Sequence, residues 1–187
     1  MRAFALIALI LATPLAASPR AYQLDNTASF VGFDTDFGSN HITGKMPVAR
    51  ADLLLDFANV AASSFKVSLD VARATATLPF AAEALRGPEV LNAKAFPLIS
   101  FQSRKVRRLG PTTAEVTGLV TLRGVTRPLV LQVEIFQQRG SAKGDFSRLA
   151  VHLTGAVNRS DFGAVGFADM VGDQVRLDIR ARIMAQK

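Results

Sequence analysis

The stretch VRLDIRARI, Val175 to Ile183, alternates apolar and polar residues without a break. Successive side chains of a strand point to opposite faces, so Val175, Leu177, Ile179, Ala181 and Ile183 share one side. Arg176, Asp178, Arg180 and Arg182 share the other. A helix, with about 3.6 residues per turn, would scatter both sets around its surface. The same period of two recurs in FKVSLDV, where Phe65, Val67, Leu69 and Val71 oppose Lys66, Ser68 and Asp70. It recurs in LVLQVEIF, where Leu129, Leu131, Val133 and Ile135 oppose Gln132 and Glu134. ISFQSRKV, AEVTGLVTL and RLAVHLTGAV continue it, and YQLD, ASFVGFD and the region Gly44 to Phe57 add to it near the N-terminus. The chain therefore reads as eight or nine strands, nearly all with one polar face.

Turn residues separate these runs: Arg108-Leu109-Gly110-Pro111, Gly124 to Pro128, and Arg139-Gly140 through Gly144. Short connections between strands with one polar face imply an antiparallel meander. The interruption is PFAAEALRGPEVLNAKAFP, Pro79 to Pro97, where Pro79 opens a short helix and Gly87-Pro88 ends it. A second helical turn is expected over Glu89 to Asn92. Such an all-β sheet closes as a sandwich or as a barrel. An eight-stranded barrel has room for its own side chains or for one small ligand. Periodicity does not choose between a filled and a hollow interior.

The N-terminus is of another kind. Met1-Arg2 is followed by an apolar run from Ala3 to Leu11 and by small residues through Ala16-Ala17-Ser18. This is the pattern of a secretory signal peptide covering residues 1–17, removed after Ala17, and it leaves one domain over 18–187. The expected location is the periplasm. With no cysteine in an exported chain, disulfides and thiolate metal sites are excluded, so packing must supply the stability. The whole chain carries a net charge of +7, and losing Arg2 leaves +6. A basic exported protein suits transient contact with anionic membranes. Thirteen Phe, one Tyr and no Trp lie mostly among apolar residues rather than interleaved with basic ones, so nucleic acid is not an expected partner.

The catalytic-looking motifs do not assemble. Only His41 and His152 are present; His152 falls on the polar face of a strand and His41 in the expected turn Gly38 to His41. Neither has a carboxylate at a recognisable ligand spacing, and no Gly-x-Ser-x-Gly elbow exists. Asp161-Phe162-Gly163 lacks the rest of a kinase, and Asn158-Arg159-Ser160 is a glycosylation sequon only in a eukaryotic secretory setting. No catalytic residue, metal ligand or cofactor is assigned. Arg104-Lys105-Val106-Arg107-Arg108 is the densest charge; it reads as the solvated end of a hairpin or as a docking point for an anionic bilayer.

Taken together, longer segments resemble a known family. TGLVTLRGVTRPLVLQV, Thr117 to Val133, is similar to the signature hairpin of the YceI-like family. Tyr22-Gln23-Leu24-Asp25 looks like its opening strand, LNAKAFPLISFQS its middle segment, and Asn158 to Gly163 its late motif. The order is the family's over nearly the whole mature chain. The insert departs from it, reading Glu83-Ala84-Leu85-Arg86-Gly87-Pro88-Glu89 where the family carries a His. The resemblance implies a lipocalin-like antiparallel eight-stranded β-barrel, the helical insert over one mouth, holding an isoprenoid or other long-chain lipid in an apolar tunnel.

Alternation supplies the lining for such a tunnel. Phe30, Phe65, Val67, Leu69 and Phe101 face inward in the first half of the chain, with Leu131, Val133, Leu177 and Ile179 in the second. Phe80, Leu85, Leu91 and Phe96 would form a lid from the insert. Arg159 and Asp161 stand where a head group would meet the mouth, with Arg159 free to pair with Asp161. The alternative is an exported, non-catalytic interaction module with a filled barrel, and a homodimer fits either reading.

Overall fold

The computed structural model describes residues 18–142 and 144–186; the expected signal peptide lies outside them. Eleven strands form one antiparallel sheet. They are β1 Arg20–Leu24, β2 Phe30–Phe37, β3 Asn40–Met46, β4 Val48–Leu55, β5 Ser64–Asp70, β6 Thr75–Ala76, β7 Leu98–Arg108, β8 Thr113–Leu122, β9 Val125–Gln137, β10 Arg148–Asn158 and β11 Val171–Ala185. The order β1-β4-β5-β7-β8-β9-β10-β11 returns to β1 through the pairs Tyr22↔Ala185 and Leu24↔Ile183, which closes an eight-stranded barrel.

Eleven strands replace the expected eight or nine because three long staves are broken. β1 and β2 follow one another along β11, β3 and β4 follow one another downward, and β5 and β6 climb beside them. Between β1 and β2 the Asp25 carboxylate accepts the amides of Thr27 and Ala28, which turns the chain. Between β3 and β4 stands Pro47, which has no N–H to give the ladder. Both breaks follow from residue chemistry that alternation alone does not register.

At one end the ring is incomplete: β6 pairs with β3 and has no second neighbour. The insert occupies this gap. Helix α1, Pro79–Arg86, starts with Pro in the first turn, as expected. The expected second helical turn is absent. Residues 87–97 form a series of turns, with Asn92 at φ 50° and its carbonyl accepting the amides of Ala95 and Phe96. Arg123, in the β8–β9 turn, ties the insert down by donating to the carbonyls of Pro88 (2.8 Å) and Val90. A short segment after β10 also crosses this end, and its Gly166 amide donates to the Glu89 carbonyl at 2.9 Å.

The opposite end is packed shut. Tyr22, Leu149 and Ile183 are buried together, with Leu53, Phe57 and Ile135 against them. The Tyr22 ring meets Phe57 edge-on at 5.7 Å, Phe57 stacks on Phe146 at 4.6 Å, and the Tyr22 hydroxyl donates to the Phe146 carbonyl. Such aromatic pairs add about 0.5–1.5 kcal/mol beyond the area they bury. Between the two ends the wall is shaped by glycine: the Phe101 ring lies where a Cβ on Gly118 would be, 2.3 Å away, and Phe33 does the same at Gly44. Two large rings thereby fold flat against the sheet.

Candidate functional site: a hollow apolar interior

The barrel is hollow, against the filled-interior alternative. A cavity of about 470 Å³ runs from the aromatic seal to the insert, within the usual range for small-molecule sites. Nearly every residue around it is apolar. A buried water needs two to four polar partners, so this apolar space is a poor place for water.

Most of the tunnel residues expected from alternation line this space: Phe65, Val67 and Leu69 on β5, Phe101 on β7, Leu131 and Val133 on β9, and Leu177 and Ile179 on β11. From the insert, Phe80, Leu85 and Leu91 reach it. Phe96 does not; it packs over Gly124 outside, 3.2 Å from where a Cβ there would be. Phe30 lies on the outer register of β2 with Asp34 and Asp36, its ring 4.3 Å from the Lys45 ammonium, and borders the cavity at the β1–β2 break. The inward face of β2 is instead Val31, Phe33, Thr35 and Phe37. FVGFDTDF carries aromatics on both faces; the carboxylates sharing parity with Phe30 were the signal that its face is the wet one. Leu53 and Leu55 on β4, Leu153 and Val157 on β10, Ile42 and Met46 on β3, and Val116 and Val120 on β8 also line it.

The two polar residues expected at the mouth part company. Asp161 is exposed, faces away from the cavity, and is not paired with Arg159. Arg159 is 8% exposed and borders the cavity, yet its guanidinium is engaged by backbone. Nε donates to Gly172 O at 3.0 Å, Nη1 to Ala164 O at 2.6 Å and Gly166 O at 2.7 Å, and Nη2 to Val171 O at 2.9 Å. One side chain therefore holds the segment 164–172 across the barrel end. The amide of Ser160 is satisfied by Asp173, 2.9 Å away, rather than by Asn158 or Asp161. Gly163 takes the left-handed conformation, φ 70°, that ends this turn.

Beside that segment the rim is apolar and open. Phe80 is 59%, Met170 48% and Phe167 41% exposed, and all three also line the cavity. Phe37 meets Phe80 at 6.4 Å between ring centroids, and Gly38 donates its amide to Met170 O, joining the β2–β3 tip to this rim. The run Arg104 to Arg108 lies at the sealed end, where Arg107 pairs with Glu115 and Arg108 donates to the Phe57 carbonyl.

Neither histidine is isolated. His41 lies on β3, not in the turn, directly across from Asp36, and its Nδ1 is 3.2 Å from that carboxylate. With Asp34 it forms a trio of ligand-type groups on the outer wall, but Arg176 already sits among them, donating to Asp34 and, at 2.7 Å, to Asp36. The Arg176 hydrogen bond, outweighing desolvation and helped by the charges of Arg176 and His41, holds the Asp36 carboxyl below its ordinary value. His152 faces Asp178 at 3.0 Å across β10 and β11. Cross-strand register, which spacing along the chain does not reveal, makes both pairs.

Comparison with known proteins gives a consistent frame. The YceI-like domain profile matches residues 22–183. A UPF0312 protein of Pseudomonas putida (strain W619) is 27% identical over 187 residues, covering 96% of each chain. A UPF0312 protein of Vibrio vulnificus (strain YJ016) is 28% identical over 131 residues, 68% of this chain and 69% of that one. Among solved structures, Burkholderia cenocepacia BcnA superposes with a TM-score of 0.75 at 19% identity, covering 86% of this chain and 99% of its own. A polyisoprenoid-binding domain from Saccharophagus degradans, implicated in plant cell wall breakdown, superposes at 0.66 and 16% identity, covering 89% and 99%.

Proposed function

This chain belongs to the YceI-like family, and from that premise we propose that it is an exported, non-catalytic carrier of a polyisoprenoid or similar long-chain lipid. The observation that carries the reading is the continuous apolar cavity of about 470 Å³. Each methylene or methyl group moved from water into it contributes about 0.8 kcal/mol, so a chain-like ligand needs few polar contacts. The relation to a polyisoprenoid-binding domain supports the same ligand class.

In this reading the lipid passes the rim of Phe37, Phe80, Phe167 and Met170, so that it leaves a bilayer without crossing water. Membrane contact belongs to that end and not to Arg104–Arg108 at the other. Export rests on residues 1–17 and places the carrier in the periplasm.

The test is organic extraction of the protein purified from its periplasmic fraction, beside Val67→Trp, which puts an indole in the tunnel. The expected result is a long-chain lipid from the wild type, none from the variant, and a mature N-terminus at Ser18. Equal lipid recovery from both proteins would overturn the tunnel reading.

A further inference from the structure

Between its two ends the barrel wall has a seam. β1 pairs with β4 as far as Tyr22↔Leu53, and β2 pairs with β3 from Val31↔Met46 onward. Between these points residues 23–30 and 47–52 share no ladder pair. The breaks at Asp25 and Pro47 fall at the same height in neighbouring staves, and β4 adds a register shift against β5 between Val48 and Arg50. Side by side, the two breaks leave the backbones unjoined.

The cavity reaches the outer face here. Leu24 and Ser29 border it from one bank of the seam, Val48 and Ala51 from the other. Phe30 and Arg180, register partners on the outer face of β2 and β11, border it too. Along β7 to β11 Arg180 is the one outward residue that does so, as expected where the wall is interrupted. The Phe30 ring lies over Gly32, 3.5 Å from where a Cβ there would be, and the Lys45 ammonium is 4.3 Å from its centroid. Phe30 thus stands between two exposed cations. Among the described residues Lys45 forms no salt bridge, and Arg180 reaches Asp178 at 3.4 Å, where His152 comes closer at 3.0 Å. Asp25 accepts from Thr27 and Ala28, and Asp52 from Arg50, so the acids flanking the seam are engaged. The other cation bordering the cavity, Arg159, already serves four backbone carbonyls.

We propose that the seam is a second entrance to the tunnel, taking a lipid whose head group is a phosphate. The tail threads in first, and the phosphate stays outside the wall between Arg180 and Lys45. This rests on the lipid-carrier reading and adds an opening to it. A phosphate does not cross an apolar interior, because a charge removed from water without partners is too costly. At the rim it would meet Phe37, Phe80, Phe167 and Met170, which offer it no donor. At the seam it keeps its hydration and gains two cations. The unjoined backbones let the seam widen locally without breaking a ladder pair.

The experiment measures displacement of a fluorescent apolar probe by farnesyl phosphate and by farnesol, which share a chain and differ in charge. Lys45→Gln with Arg180→Gln should weaken farnesyl phosphate about three- to ten-fold, the size expected of two exposed cations, and move farnesol by less than about two-fold. Arg20→Gln with Arg148→Gln, which removes the same charge from the sealed end, should leave both lipids unchanged. Inorganic phosphate in large excess, at matched ionic strength, should leave farnesyl phosphate in place. Unchanged farnesyl phosphate binding in the Lys45 and Arg180 variant, an equal loss in the Arg20 and Arg148 variant, or displacement by inorganic phosphate would each overturn the seam site, while farnesol binding keeps the tunnel reading. Binding of neither lipid by the wild type would overturn both.

Discussion

The two ends of this barrel solve the same problem in opposite ways. At the sealed end, Tyr22, Phe57 and Phe146 come from three separate parts of the chain and lock through ring contacts and one hydroxyl bond. At the other end, the insert and the segment 164–172 are laid across the opening, the turns after α1 held by Arg123 and the segment by Arg159, both through backbone carbonyls. The first end is closed by side-chain packing, which is hard to undo locally. The second is closed by a few polar ties at the edge of an exposed apolar rim, which can open without unfolding the barrel. The proposed carrier role calls for this asymmetry: one fixed floor and one cover.

Substitutions at the two ends test that contrast. The largest effect is expected from Tyr22→Ala, which removes a buried ring and its hydroxyl bond and should cost about 3–5 kcal/mol in urea unfolding. A loss under about 1 kcal/mol would mean that the seal is not a structural unit. Arg159→Met should cost about 2–4 kcal/mol by leaving four carbonyls without their donor. Hydrogen exchange should then rise across 163–172 while the strands around Tyr22 stay protected; uniform acceleration would erase the distinction between cover and floor. Phe80→Ser should change stability by less than about 0.5 kcal/mol, as exposed substitutions do, yet slow lipid uptake from vesicles several-fold. Unchanged uptake would remove the rim from the account.

The subtlest effect concerns pH. Desolvation raises the Tyr22 hydroxyl above its ordinary 10.0, with Arg20 opposing and Asp145 adding. The folded state thus favours the neutral phenol. Its stability contribution is intact below pH 10.0 and is lost as pH rises through the higher folded value. Tyr22→Phe should flatten the alkaline decline seen in the wild type; parallel curves would show that the seal does not sense the phenol.

Alternation made most of the wall legible. The faces assigned to β5, β9 and β11 are the observed ones, since within the runs 65–70, 129–135 and 175–182 the charged or amide side chains all lie on a single side. It misled at β2, where Phe30 and Phe33 compete and the deciding information was the parity of Asp34 and Asp36. It could not show that three staves are broken, that Phe96 turns away over Gly124, or that Arg159 bonds carbonyls five to thirteen residues on. Those depend on where separate segments meet.

The central claim is that the cavity holds a long apolar chain. The most direct measurement is the electron density of a crystal of the mature protein purified without delipidation. Continuous elongated density is expected from the rim of Phe80 and Met170 to the aromatic seal at Phe57, absent in Val67→Trp. Side chains collapsed into the cavity, or a space holding only discrete waters, would contradict it.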